Sequence, residues 1–129
     1  MDQLASVLSR DSRLAYALVF GSTARGSAHP GSDIDIAIGL IPGARYSAPD
    51  VGALVSALEQ TSGQTVDLVI LDEASPAVAY RVFRDARPLF VRDTRRLVEQ
   101  KTRAILDYLD FRPTEERAAS GALTAAARG

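Results

Sequence analysis

Two short apolar runs, each bounded by a glycine or a charge, constrain this chain more than any other feature. Residues 14–20 (Leu-Ala-Tyr-Ala-Leu-Val-Phe) are apolar without a break and stop at Gly21, the pattern of a buried strand. Residues 33–40 (Asp-Ile-Asp-Ile-Ala-Ile-Gly-Leu) form a second run, entered through carboxylates at i and i+2. Side chains two apart on a strand share a face. Asp33 and Asp35 therefore stand together, while Ile34, Ile36 and Ile38 point into a core. Two like charges so close repel unless a cation sits between them. A hard divalent ion such as Mg2+ meets that need, because it takes carboxylate and phosphate oxygens. The spacing points to metal-dependent phosphate chemistry.

The rest of the chain alternates helix and strand. Leu4, Val7 and Leu8 have helical spacing within residues 2–9. A short helix can open at 22–26, and 27–32 is a loop of small residues, proline and glycine. Val51, Leu54, Val55 and Leu58 mark an amphipathic helix over 49–60, closed by Gly63. A third strand spans 65–71 and carries Asp67. Ser75-Pro76 opens a helix reaching about Arg84. Residues 88–91 form a short strand whose leading proline requires a strand start or a sheet edge. Asp93 or Thr94 caps a last helix that Pro113 ends. Its stripe of Leu97, Lys101, Ala104, Ile105, Tyr108 and Leu109 either packs on the chain's own sheet, the simpler reading, or meets a partner together with Phe111. The fold class expected is α/β (α+β): one small mixed sheet with helices mainly on one face. The domain covers 1–112, and the alanine-rich residues 113–129 form a flexible tail.

Composition excludes several classes. A chain of 129 residues is one domain. It has no cysteine, hence no disulfide, thiolate site or cysteine nucleophile. The start resembles no signal peptide, and no segment reaches the roughly 18–20 apolar residues that span a bilayer, so a cytoplasmic location is expected. A net charge of −1 indicates no general nucleic-acid surface.

With the third acid in place, the residues resemble a nucleotidyltransferase of the DNA polymerase beta-like superfamily. That pattern is a Gly-Ser turn, a paired Asp-x-Asp on one strand and a further Asp on the neighbouring strand. Here these are Gly21-Ser22, Asp33/Asp35 and Asp67. The strings Gly21-Ser22-Thr23-Ala24-Arg25-Gly26 and Ser32-Asp33-Ile34-Asp35-Ile36 are most similar to the minimal nucleotidyltransferases (MNT). The likeness covers about residues 1–110, including the closing strand at 87–93. It implies that Asp33, Asp35 and Asp67 hold two Mg2+ ions and that ATP is the substrate. It implies a HEPN-domain toxin RNase as partner, neutralised by transfer of AMP to one of its tyrosines.

The residues assign roles within that expectation. Gly21 leaves room for close approach of a triphosphate to the backbone. Ser22 offers a hydroxyl and an N–H at a helix start, where phosphate is favoured. Asp67 completes the shell of the ion that activates the incoming hydroxyl, or helps receive its proton. Arg25 touches phosphate or pairs with a surface carboxylate. His29 is solvated in its loop, and Asp72 and Glu73 belong to a turn. Residues 21–26 lack the lysine of a P-loop. Two rival functions remain: an antitoxin acting by occlusion alone, and a small-molecule (antibiotic) nucleotidyltransferase.

Overall fold

The computed structural model describes residues 2–26 and 33–120, with the backbone alone for Thr23 and for residues 111–120. The order is α1 (Asp2–Ser9), β1 (Leu14–Phe20), α2 (Gly21–Arg25), β2 (Ile34–Leu40), α3 (Ala48–Ser62), β3 (Val66–Ile70), α4 (Pro76–Asp85), β4 (Arg87–Val91) and α5 (Thr94–Ser120). A 3-10 turn, Leu71–Glu73, follows β3. The strands form one sheet in the order β3-β2-β1-β4. β1 is antiparallel to β2 and β4, while β2 and β3 are parallel and joined through α3. The α/β class and the mixed sheet thus stand as read from the sequence.

Helices cover both faces of this sheet rather than mainly one. Ile34, Ile36, Ile38 and Leu40 of β2 pack with Leu4 and Leu8 of α1 and Leu54 and Leu58 of α3. Tyr16, Leu18 and Ala37 face the other way, onto Val82 and Phe83 of α4 and Ala104 of α5. The reason lies in the strands. β1 is apolar at every position, and on β2 Ala37 and Gly39 follow Asp35 on its own side, so a second apolar face exists to be covered. Tyr16 lies over Gly39, where a Cβ would overlap its ring.

Local chemistry sets the element ends. Ser47 and Asp50 form a reciprocal capping box on α3, and Gly63 closes it at φ +74°. Ser75 caps α4 with Pro76 at its first position. Asp93 accepts the Arg96 N–H at 3.0 Å and caps α5. Pro88 lies on the edge strand β4, where a missing N–H is tolerated. Pro113 does not end α5, which continues to Ser120. Proline removes one helical hydrogen bond, and the good helix formers Glu115, Glu116, Arg117, Ala118 and Ala119 follow it. Residues 121–129 of the expected tail lie outside the described residues.

The α5 stripe divides. Ala104 is buried and Leu97 packs on the α4 side of the core. Tyr108 stacks on Tyr80 of α4, with ring centroids 4.1 Å apart. Ile105 and Leu109 of the same stripe are exposed, and Val98 and Leu106 join them. One line of positions meets α4 and β1, and the next line faces water.

A polar cluster ties α5 to the far end of β2. Asp72, in the 3-10 turn, accepts the Leu40 N–H at 2.9 Å, Arg96 Nη2 at 2.9 Å and Gln100 Nε2 at 3.0 Å. Gln100 Oε1 accepts from the Tyr16 hydroxyl, whose pKa is pushed up by burial and by the nearby Asp72 charge. Asp72 is thus more than a turn residue. Asp72→Ala leaves the Leu40 N–H without its acceptor and removes one of two contacts of the Arg96 guanidinium, whose Nε still donates to the Leu40 carbonyl, and is expected to cost about 1–3 kcal/mol in urea unfolding.

Candidate functional site

Register assembles the site. Phe20, the last residue of β1, lies opposite Asp35, and Asp35 lies opposite Asp67 on β3. Paired residues on neighbouring strands present side chains to the same face. The parallel β2–β3 pairing therefore sets the two carboxylates side by side at one end of the sheet. Asp35 shares its parity with Ala37, and Asp67 with Val69, so both belong to the α4–α5 face. Asp33 stands just before β2. Asp33 and Asp67 are exposed, and Asp35 is half-buried.

Asp33 and Asp67 act on Asp35. Burial raises the Asp35 carboxyl above its ordinary value, and the charges of Asp67 and Asp33 raise it further, with Arg25 pulling the other way. Like charges grouped without a counter-ion give that pattern. The donor set is all oxygen, which suits Mg2+ rather than a softer metal. Among the described residues no three acidic, histidine or cysteine side chains close into a metal cage. The fit is thus that of an open acidic row, which phosphate oxygens would complete, rather than of a preformed structural site.

Gly21 closes the row on the β1 side. Its φ is +66°, a conformation that residues with a Cβ rarely adopt. A Cβ there would overlap an Asp35 carboxylate oxygen and lie 3.1 Å from Asp35 Cγ. The space above Gly21 thus holds a carboxylate, a contact that strand periodicity does not reveal. Ser22 follows at the start of α2 and is half-buried. Arg25, at the end of α2, is 56% exposed and stands 3.8 Å from Asp85. Arg84 holds that carboxylate at 2.9 and 3.1 Å. Asp85 was not legible as a neighbour of the site, since a charge at a helix end carries no such signal. His29 lies outside the described residues.

Residues 2–95 match the family described as "Polymerase beta, Nucleotidyltransferase". The chain belongs to that family. No curated protein matches this nucleotidyltransferase significantly. Among solved structures, a toxin–antitoxin with AMP-PNP is similar at 26% identity and TM-score 0.75, covering 92% of this chain and 93% of that one. A structure of a tri-AMPylated Shewanella oneidensis HEPN toxin in complex with an MNT antitoxin is similar at 24% identity and TM-score 0.68, covering 92% and 94%. A structure described as a minimal nucleotidyltransferase is 34% identical with TM-score 0.57, covering 66% of this chain and 87% of that one. Within the nucleotidyltransferase, no described helix is long and apolar enough to cross a membrane.

Proposed function

We propose that this nucleotidyltransferase is an antitoxin that transfers AMP from ATP to a tyrosine hydroxyl of a HEPN-domain toxin, with Mg2+ bound by Asp33, Asp35 and Asp67. The observation that carries the reading is the in-register row of Asp35 and Asp67, joined by Asp33 and closed by Gly21. The toxin–antitoxin neighbour with AMP-PNP supports ATP as the nucleotide, and the tri-AMPylated HEPN toxin supports the acceptor.

In the transfer, a tyrosine oxygen attacks the α-phosphorus and the bond to the β-phosphate oxygen breaks. Pyrophosphate leaves, and the hydroxyl proton passes to a base. When bound, the metal supplies charge stabilisation for the attacking and leaving oxygens. Asp67, exposed beside Asp35, would orient the hydroxyl and receive its proton in this reading. Gly21 fixes the Asp35 carboxylate, and Ser22 and Arg25 hold phosphate oxygens.

The exposed row Val98, Leu106 and Leu109 on α5 is the face assigned to the HEPN partner. Leu106→Glu with Leu109→Glu is expected to weaken the complex about tenfold or more, measured by surface plasmon resonance.

Label transfer from alpha-labelled ATP to the neighbouring gene's product, with Asp33→Ala/Asp35→Ala as control, tests the whole reading. Label on the partner with the unaltered protein alone supports it. The second reading is occlusion without catalysis, which a degenerate metal site would signal; the presence of all three carboxylates argues against it. A stable complex without label from either version would establish it.

A further inference from the structure

The peptide between Thr65 and Val66, one residue before Asp67, is held from both sides. On the inner side, the Thr65 carbonyl accepts the Ile34 N–H at 2.9 Å. The carbonyl and N–H of a trans peptide point in opposite directions, so the Val66 N–H faces away from β2. β3 is an edge strand, and α3 supplies the acceptor that a further strand would otherwise give. Glu59 Oε2 accepts the Val66 N–H at 2.9 Å.

Glu59 lies in the last turn of α3 and acts there twice. Its backbone carbonyl accepts the Gly63 N–H at 2.8 Å, where the helix ends. Its side chain then starts β3, so one residue fixes both ends of the 63–65 connection. A carboxylate makes such a bond to a backbone N–H about twice as strong as a neutral acceptor does. The bond reaches every acid of the row through a chain neighbour. Val66 precedes Asp67 and lies opposite Ile34, which stands between Asp33 and Asp35. The Val66 side chain is buried with α1 and α3, and Asp67 therefore projects from the other face.

We propose that Glu59 is a positioning residue for the acidic row: its carboxylate holds the 65–66 peptide from the open sheet edge and so sets Asp67 against Asp35. The use of that placement in group transfer rests on the reading above. The clamp itself rests on the two hydrogen bonds.

The test compares Glu59→Gln, Glu59→Asp and Glu59→Ala with the unaltered full chain. Glutamine keeps an acceptor at the same reach, aspartate keeps the charge one methylene short, and alanine keeps neither. By NMR amide exchange, the Ile34 N–H is expected to lose protection about tenfold or more in the alanine and aspartate variants, with β1 amides within about twofold. The Ile34 donor and its acceptor are untouched by these changes, so the loss reports release of the peptide. In label transfer, kcat is expected to fall about tenfold or more in the same two variants, with KM for ATP within about twofold. KM is spared because the groups assigned to the phosphates, Ser22 and Arg25, lie on α2. Glutamine is expected to restore both readouts, which a loss of charge alone would not allow.

Unchanged Ile34 exchange in the alanine variant overturns the proposal, as does transfer that falls only in step with the melting temperature. Should Glu59→Ala fail to fold, glutamine against aspartate decides: an active aspartate beside an inactive glutamine overturns the clamp. Ile34 exchange that follows Glu59, without label from any version, keeps the clamp and sinks the transfer reading. Label transfer indifferent to Glu59 does the reverse.

Discussion

Asp35→Asn is expected to abolish nucleotidyl transfer and, in metal-free buffer, to raise the melting temperature. The first effect follows from the position of Asp35 at the centre of the row, opposite Asp67 and next but one to Asp33. Removing one group that stabilises transition-state charge typically costs 10²–10³-fold in rate, and about that or more is expected here. The second follows from the raised Asp35 carboxyl, caused by burial and then by Asp67 and Asp33. A raised folded-state pKa means the folded protein holds that proton more tightly than the unfolded chain. Stability therefore falls as pH rises from below the ordinary carboxylate value through the raised one, and the cost persists at neutral pH. Asparagine carries no charge and removes that cost. Asp33→Asn, on an exposed residue, is expected to abolish transfer with a smaller rise. Calorimetry at pH 7 in EDTA beside the label-transfer assay measures both effects. A fall in melting temperature would mark Asp35 as structural, and retained transfer would remove it from the chemistry.

Features confined to one strand or helix were legible in the sequence, whereas pairings between distant elements were not. Period-two alternation in 33–40 gave the faces of Asp33 and Asp35 because it is a property of one strand alone. Asp67 could be placed on a neighbouring strand, but its alignment with Asp35 depends on the parallel register set through α3. Continuous apolar runs announced burial without saying that two helix layers were needed. The small pair Ala37 and Gly39, which admits Tyr16 and the α4 layer, was the local sign of the second. Pro113 misled because a proline rule describes one residue, whereas α5 continues on the propensity of those that follow. The closing strand β4 joins β1 through an antiparallel pairing across 68 positions of chain, counted from Val19 to Arg87, and no spacing rule carries that far. Asp72 was read as a turn residue because its three donors come from β2 and α5.

Gly21→Ala is expected to damage transfer more than stability, and the two losses should be separable. Two costs act at this position. A residue with a Cβ at φ +66° pays about 1–2 kcal/mol for the left-handed conformation. The new methyl also overlaps the Asp35 carboxylate, and Asp35 can relieve that only by rotating its short side chain away from Gly21 and out of its place in the row. The backbone term is paid whatever residue stands at 35. The overlap term vanishes when the carboxylate is gone. In a double-mutant cycle of Gly21→Ala with Asp35→Ala, the glycine change should therefore cost less in the alanine background, with a coupling of about 0.5–2 kcal/mol. Transfer by the single variant should fall about 10²-fold or more, since the displaced carboxylate no longer faces the reacting phosphate. Urea unfolding of the four proteins gives the coupling. Additive losses would show that Gly21 serves only the turn, leaving the placement of Asp35 to β2 alone.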